Sequence, residues 1–423
     1  MRKVWLLVLA VALCCPMVAG AGEVSSKWDV NIYGYIKLDA VYQNSYAIMD
    51  NFLVQVPPGN LCQHGGNPFG ACVPNEQDNS ERDSFHMTAR QSRFGLLITT
   101  PATDSGLITR GRLEMDFYGS LPPRAVGQDV EENKGGLMLR RATVEIIGSN
   151  WEILAGNEWM VMSPIFPHVN NYPYGADAGN LGYRTPQIRL TGYALDKSLI
   201  LQVAATNKMG DVDTLDIDTG RMTGTPAYEG GITFKRDGFN IGFTGHWGQE
   251  EIQTVRDGST AYYGSRVDSW SYNFHAIIPM GDRLAVSGEL WQGANLDGWY
   301  TGNQGSGWVI DDDGDRVPVE GTGWWVELMI KATDSLKLHG GWGVDDADDE
   351  ILKDSTIEPG YLGRNGNVQP TRNIMYYGNC YYNVSPSTMI SFEWMQMATE
   401  YDNMSGWDNA VADRYTMSFW YIF

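Results

Sequence analysis

The last ten residues of the chain constrain its fold more strongly than any other segment. Large apolar side chains occupy every second position of this segment: Tyr415, Met417, Phe419, Tyr421 and Phe423. Successive side chains of a β-strand point to opposite faces, so these five predict one apolar face that ends at the carboxylate. This pattern is typical of the closing strand of a barrel in the outer membrane, where it acts as an assembly signal.

The opposite end of the chain has the pattern of a secretory signal peptide. Two basic residues stand near the start, an apolar stretch covers residues 4–11, and Ala-Gly-Ala at 19–21 offers a cleavage site. We therefore predict a leader over residues 1–21 and one folded domain, an outer-membrane barrel, over residues 22–423. A leader of this kind directs a chain out of the cytoplasm.

Composition narrows the choice of fold after this leader. No run of about 18 or more apolar residues remains, which excludes ordinary transmembrane helices and leaves a soluble β protein or a β-barrel. The 49 glycines and 22 tyrosines favour the barrel. The net charge of −21 argues against a nucleic-acid partner, because a phosphate backbone requires a basic surface.

The alternation of polar and apolar residues predicts a 16-stranded antiparallel transmembrane β-barrel with short periplasmic turns and long external loops. The predicted strands span residues 28–43, 85–100, 107–118, 137–148, 151–160, 184–195, 198–206, 227–236, 239–248, 267–278, 283–292, 322–332, 335–343, 372–384, 387–400 and 413–423. The predicted turns carry turn-forming residues and lie at 104–106, 148–150, 196–197, 237–238, 281–282, 333–334 and 385–386. The predicted long loops include 44–84, 161–183, 293–321 and 344–371.

Alternation also assigns charged side chains to the lumen. The inward positions of the first half hold a set of arginines, partly offset by acids: Arg93, Arg110, Arg112, Arg141, Arg184 and Arg189 with Glu114, Asp116 and Glu145. The set either forms ion pairs that keep the wall hydrated, or it concentrates anions at the narrowest point of a pore. Arg90 and Arg140 have the wrong parity, which indicates a β-bulge or a subunit interface.

Three short motifs resemble a known family. Residues 89–96, Ala-Arg-Gln-Ser-Arg-Phe-Gly-Leu, resemble the second-strand signature of trimeric porins. Residues 31–40, Asn-Ile-Tyr-Gly-Tyr-Ile-Lys-Leu-Asp-Ala, resemble the opening strand of DcaP-like porins. Residues 184–190, Arg-Thr-Pro-Gln-Ile-Arg-Leu, are similar to that family's segment after the third loop. The likeness extends over most of the chain beyond the leader.

The resemblance implies a homotrimer in the outer membrane of a Gram-negative bacterium. Such a barrel allows passive diffusion of small hydrophilic solutes and favours anions, dicarboxylates in particular. Its partners would be outer-membrane lipid, lipopolysaccharide, the barrel assembly machinery and small anionic solutes. In porins the third loop folds into the lumen, so residues 161–183 are expected there, although their composition also suits an external loop. Tyr172, Tyr174 and Asp177 would then face the arginines.

Two cysteines and several acidic runs fall in the predicted external loops. Cys62 and Cys72 lie in an oxidising compartment and predict a disulfide that closes the first long loop, worth about 2–3 kcal/mol in the chain-entropy model. A metal site that includes His64 is the weaker alternative. The acidic runs at 211–218, 311–315 and 345–350 predict solvated loops, or loops bridged by divalent cations to anionic lipid headgroups.

Enzymatic function has little support in the sequence. No nucleophile elbow, zinc-protease motif or phosphate-binding glycine loop occurs, and no cofactor is expected. A hydrolase inside the barrel would need a serine beside His246 or His275, near Glu289, and alternation offers Ser271 and Ser287. A structural or adhesive barrel is the other alternative, but a barrel of sixteen strands leaves an aqueous channel.

Overall fold

The computed structural model is a closed, all-β barrel of sixteen antiparallel strands. It describes residues 28–45, 51–56, 83–119, 135–208, 219–255, 262–296, 300–302, 307–310, 316–348, 350–351, 370–401 and 409–423. The strands are β1 Asp29–Gln43, β2 Ser84–Thr88 and Arg93–Thr99, β3 Ile108–Asp116, β4 Met138–Ile147, β5 Trp151–Trp159, β6 Arg184–Ala194, β7 Leu199–Thr206 and β8 Ala227–Arg236. They continue as β9 Phe239–Val255, β10 Tyr262–Met280, β11 Leu284–Ala294, β12 Glu320–Lys331, β13 Leu336–Ala347, β14 Pro370–Ser385, β15 Thr388–Tyr401 and β16 Ala410–Ile422.

Strand β2 is interrupted, and both of its segments pair with β1. The interruption falls at residues 89–92, so the two segments occupy a single place in the barrel. The barrel closes where β16 pairs with β1 in antiparallel register, with Leu38 opposite Phe419. Phe423 completes this seam, since its N–H and C=O both bond to the backbone of Gly34 at 3.1 Å. Closure leaves the sheet without a free edge.

The connections divide the barrel into two unlike ends. Short turns join β2 to β3, β4 to β5 and each later even strand to the next at one end, which we call the turn end. The longer connections lie at the other end, called the loop end, and one of them carries a small hairpin, Trp308–Ile310 with Arg316–Pro318. The helix α1, Thr219–Met222, lies in another loop. Among the described residues, no helix has the length and hydropathy required to cross a bilayer.

The barrel wall is apolar outside and polar inside. Exposed side chains of the wall are large and apolar at alternate positions, for example Ile188, Leu190, Phe243, Tyr272 and Phe392. Most side chains between them are polar and buried within the barrel, for example Ser271, Asn273, Ser391 and Glu393. An ordinary soluble domain shows the opposite arrangement, so this pattern requires an apolar solvent outside the wall.

The predicted strand number and order are confirmed, with differences at strand ends. Strands β9 and β10 run to Val255 and from Tyr262, several residues beyond their predicted bounds. The acidic run at 345–350 is not wholly a loop, because Asp345 and Asp346 belong to β13. Arg372 of β14 donates a 2.7 Å bond to Asp346, so this part of the run is fixed in the wall.

Several predictions concern residues outside the described part of the chain. These are the leader at 1–21, the disulfide between Cys62 and Cys72, His64, and the acidic runs at 211–218 and 311–315.

Candidate functional site

The third long loop, residues 160–183 and here called L3, lies inside the barrel. The carbonyl of Asn170 accepts bonds from Asn51, at 2.9 Å, and from Gln91, at 3.2 Å, on one side of the lumen. The N–H of Asn170 donates to Glu393 of β15 at 2.6 Å. Contacts to several strands at once are open only to a loop within the lumen, so the predicted infolding is confirmed.

Four buried glutamates on β8, β11, β12 and β15, which together are called the far wall, hold the backbone of L3. Each projects inward from a different strand, and each accepts hydrogen bonds from L3 or from the side chains around it. Glu229 accepts bonds from Val161 N and Met162 N, and Glu289 accepts bonds from Trp325 Nε1 and Asn273 Nδ2. Glu327 accepts bonds from His168 N and Tyr377 Oη, and Glu393 accepts bonds from Asn170 N and Asn379 Nδ2. Together these bonds fix the path of the loop across the lumen.

The loop also approaches the backbone of the far wall very closely. Gly179 has φ of +100°, and a Cβ added there would lie 2.1 Å from the carbonyl oxygen of Trp324. The carbonyl of Gly179 accepts a 3.0 Å bond from Trp291 Nε1. Glycine is required here both by the backbone conformation and by the lack of space. This part of L3 is therefore seated on β11 and β12.

The opposite stretch of L3 packs against the arginine-bearing wall through Tyr172. Arg140 is buried and donates to Glu114 at 2.9 Å, to Asp116 at 2.7 Å and to the hydroxyl of Tyr172 at 3.0 Å. Tyr172 in turn donates to Asp116 at 2.8 Å. A β-bulge brings Arg140 inward, because Glu114 pairs with Arg141 while the next residue of β3 pairs with Leu139. The bulge is one of the two explanations offered for its parity.

Arg90 lies in the interruption of β2 and is likewise buried. Its Nε donates to the carbonyl of Phe117 at 3.2 Å, and its guanidinium lies 4.5 Å from the ring centre of Tyr118. The break in the strand removes the strict alternation that the sequence analysis assumed.

Tyr174 places a phenol beside the arginines inside the lumen. Its hydroxyl accepts a 3.1 Å bond from Arg93. Burial alone would raise the pKa of Tyr174, but the charges of Arg93, Arg140 and Lys37 outweigh it and lower the pKa to about 8. The pKa of Tyr172 is instead raised well above its usual value, mainly by burial. Only one of the two tyrosines therefore changes charge in the mildly alkaline range.

The other predicted arginines also face the lumen, and several share carboxylates. Arg110 bonds to Glu145, while Arg112 and Arg141 both contact Glu158, at 3.5 and 2.6 Å. Arg93 lies 3.8 Å from Glu114. Ion pairing, the first of the two interpretations offered for this wall, is thus present for these four arginines. The side chains of Arg93 and Arg141 nevertheless remain 18% and 24% exposed.

Arg184 and Arg189 differ from this pattern. Within the described part of the chain, neither has a carboxylate partner at ion-pair distance. Arg184 is buried, with its guanidinium 4.9 Å and 4.4 Å from the ring centres of Trp159 and Tyr183. Arg189 donates to the carbonyl of Trp159 at 3.3 Å. Both charges add to the positive potential of this wall, and Arg189 also interacts electrostatically with Glu158 and Glu229.

A cavity of about 810 Å³ extends from L3 towards the turn end. Six cationic side chains and two carboxylates line this cavity. The cations are Arg93, Arg140, Arg141, Arg283, Lys331 and Lys337, and the carboxylates are Glu114 and Asp282. The cations come from opposite walls, so a solute in the cavity lies between them. Among the side chains that line the cavity this is an excess of four positive charges, in a chain whose net charge is −21. Asp116, Glu158 and Asp334, behind the lining, each contact one of these cations.

The sequence predicted two of these six cations, Arg93 and Arg141, and not the other four. Arg140 was set aside because of its parity, and Arg283, Lys331 and Lys337 were not considered because only the first half of the chain was tallied. Arg283, Lys331 and Lys337 all lie close to predicted turns, and this position was the signal in the sequence that could have placed them at the turn end of the lumen. Asp177 was expected to face the arginines, whereas its backbone bonds to Thr301 and Asn373 on the far side, at 3.0 and 2.8 Å.

Two serines lie beside His246, and one of them, Ser271, is a serine that the hydrolase alternative required. Ser271 Oγ is 2.7 Å from His246 Nδ1, and Ser269 Oγ is 3.0 Å from His246 Nε2. All three residues are buried, and the ring of Tyr300 stacks on the imidazole with centres 4.5 Å apart. The cluster is sealed from the lumen, so it offers no opening for a substrate.

The apolar face predicted at the end of the chain is present on β16. Tyr415, Phe419, Tyr421 and Phe423 are exposed on the outside of the barrel, and Met417 shares their face. Their side chains alternate with the buried Arg414, Thr416 and Ser418.

Comparison with known proteins identifies the fold. Neither a family model nor a curated protein matches the chain. Among solved structures, the outer membrane channel DcaP of Acinetobacter baumannii is 18% identical with a TM-score of 0.67, over 94% of this chain and 97% of that one. An anion-selective porin from Comamonas acidovorans is 12% identical with a TM-score of 0.56, over 94% and 100%. The trimer form of OmpT of Vibrio cholerae is 10% identical with a TM-score of 0.53, over 94% and 99%. The chain has the fold of outer-membrane porins, and the resemblance to DcaP-like porins is confirmed at this level.

Proposed function

We propose that the chain is an outer-membrane porin that passes small hydrophilic solutes by diffusion and favours anions. The observation that carries this proposal is the cavity beside L3, where six cationic side chains face two carboxylates. Guanidinium and ammonium groups held on opposite walls raise the local concentration of anions, because a narrow, low-dielectric wall focuses their field. No covalent step is involved, and the arginines act only through their charge and hydrogen bonds.

Small dicarboxylates are the solutes that suit this arrangement. Arg93 and Arg141 line one wall of the cavity with partly exposed side chains, and Lys331 and Lys337 line the other. A guanidinium binds a carboxylate through two parallel hydrogen bonds. A solute with a carboxylate at each end can thus contact both walls while it passes L3.

The membrane location and the oligomeric state of the channel are part of the same proposal. The apolar outer wall suits the lipid of a Gram-negative outer membrane, with lipopolysaccharide as a neighbour. We propose a homotrimer, as in the trimer form of the Vibrio cholerae protein. The exposed aromatic face of β16 would serve as the signal that the barrel assembly machinery reads, and residues 1–21 as the export leader.

The test is the reversal potential of the purified chain in a planar bilayer under a gradient of KCl. We expect stepwise conductance and a reversal potential on the anion-selective side. A cation-selective reversal potential would refute the anion preference but would still support the proposal that the chain forms a channel. Absence of conductance from correctly folded protein would refute the channel and favour a structural barrel.

A further inference from the structure

Two histidines and a glutamate converge where L3 meets the far wall of the cavity. His168 lies in L3, Glu327 in β12 and His339 in β13. His168 Nδ1 is 2.7 Å from Glu327 Oε1, and the two imidazole rings have centres 4.6 Å apart. One ligand atom from each of the three residues lies within 4.8 Å of the other two. We propose that this cluster binds a divalent first-row transition metal ion, for which Zn²⁺ is the probe.

The donor set decides the class of ion. Two imidazole nitrogens and one carboxylate oxygen suit Zn²⁺ and its first-row neighbours, whereas Ca²⁺ and Mg²⁺ take oxygen ligands almost exclusively. Around tetrahedral Zn²⁺, ligand atoms lie about 3.3 Å apart. The three donors lie within 4.8 Å of one another, so their separations need to shorten by at most about 1.5 Å to reach that spacing. Both histidines line the cavity, so a fourth ligand, water or a solute anion, would come from there.

An unpartnered nitrogen provides a second, independent reason to expect a ligand. His339 is only 8% exposed, and within the described part of the chain its Nδ1 has no hydrogen-bond partner. A buried polar atom without a partner costs about 1–3 kcal/mol, so such atoms are rare in finished structures. If Nδ1 is the ligand atom, coordination satisfies it directly. If Nε2 is the ligand atom, coordination leaves Nδ1 protonated and able to donate to the neighbouring Asn379.

The surroundings orient the carboxylate as the second shell of a metal site does. The other oxygen of Glu327, Oε2, accepts bonds from the hydroxyl of Tyr377 at 2.7 Å and from the N–H of His168 at 2.8 Å. Oε1 is thereby left to face the imidazoles. Access is open as well, because both histidines line the cavity and the side chain of His168 is 52% exposed.

A metal ion here would have two effects on the pore. It would connect L3 to β12 and β13 at a point that is now held by the hydrogen bonds between His168 and Glu327. It would also add positive charge to the wall opposite Arg93. We therefore expect Zn²⁺ to lower the open-channel noise and to alter the conductance. Binding itself does not depend on the proposed anion preference.

The test is Zn²⁺ binding to the purified full chain, measured by titration calorimetry and by metal analysis after gel filtration. His339→Gln is the principal variant, because it leaves the bonds between His168 and Glu327 in place. His86→Gln removes another inward-facing histidine and is the matched control. We expect the wild type and the control to bind one Zn²⁺ more than His339→Gln, or to bind it at least about tenfold more tightly.

Equal stoichiometry and affinity in the wild type and His339→Gln would overturn the proposal, as would a wild type that binds no Zn²⁺. Folding of each variant is checked by its heat-dependent shift on gels and by its conductance without metal. If His339→Gln does not fold, Co²⁺ bound to the wild type gives a second readout. Visible absorption bands of a tetrahedral site with nitrogen and oxygen ligands would support the site, and an octahedral aqueous spectrum would refute it.

Discussion

Neutralising two arginines of the cavity should lower its preference for anions by a predictable amount. Arg93→Gln combined with Arg141→Gln reduces the excess positive charge of the cavity from four to two. At about 6 Å in water, each charge stabilises a passing anion by about 0.7 kcal/mol, and screening at physiological salt halves this value. The two charges together then contribute about 0.7 kcal/mol, which corresponds to about a threefold decrease in anion occupancy.

The assay is the reversal potential under a KCl gradient, at the same salt and pH for all proteins. Lys197→Gln combined with Arg236→Gln is the charge-matched control, because both side chains are exposed at turns and neither lines the cavity. We expect the anion preference to fall about threefold in the arginine variant and to stay unchanged in the control. Equal reversal potentials for wild type and arginine variant would refute the role of these charges, and so would an equal effect of the control.

Three further results are expected. Above pH about 8, ionisation of Tyr174 places a negative charge beside Arg93, so the anion preference should fall as pH rises and should not do so in Tyr174→Phe. Glu393→Ala leaves the N–H of Asn170 without its acceptor and should lower the free energy of unfolding by about 1–3 kcal/mol more than Glu393→Gln does, as measured by urea titration. Deletion of Phe423 should reduce the amount of folded protein in the outer membrane, judged by the heat-dependent gel shift, and a wild-type level would contradict the assembly role.

The strand order was predictable because the membrane imposes a strict period on the sequence. A strand between lipid and water must alternate, as residues 415–423 do, and each short turn needs residues such as Asp237 and Gly238. The period fails where the chain leaves the lipid. After Gly248 the sequence of β9 continues Gln-Glu-Glu, polar at successive positions, so the period no longer marks the strand and its length exceeds the predicted one.

The site was predictable only in part, because alternation assigns a face and not a partner. Arg93 and Tyr174 were both expected in the lumen, and the structure joins them by a hydrogen bond. The bulge at Arg140 adds one residue to β4, and no local pattern in the sequence marks it. Glu393 and the other inward glutamates look like hydrated lumenal charges in the sequence. Their bonds to L3 arise from contacts between residues far apart in the chain.

The most direct test of the central claim is solute flux through the wild-type chain in proteoliposomes. Uptake of labelled succinate is compared with uptake of erythritol, an uncharged solute with the same number of carbon atoms. A cationic cavity beside L3 predicts that succinate enters faster than erythritol, with the difference decreasing at high salt. Equal rates, or faster entry of erythritol, would contradict an anion-favouring channel.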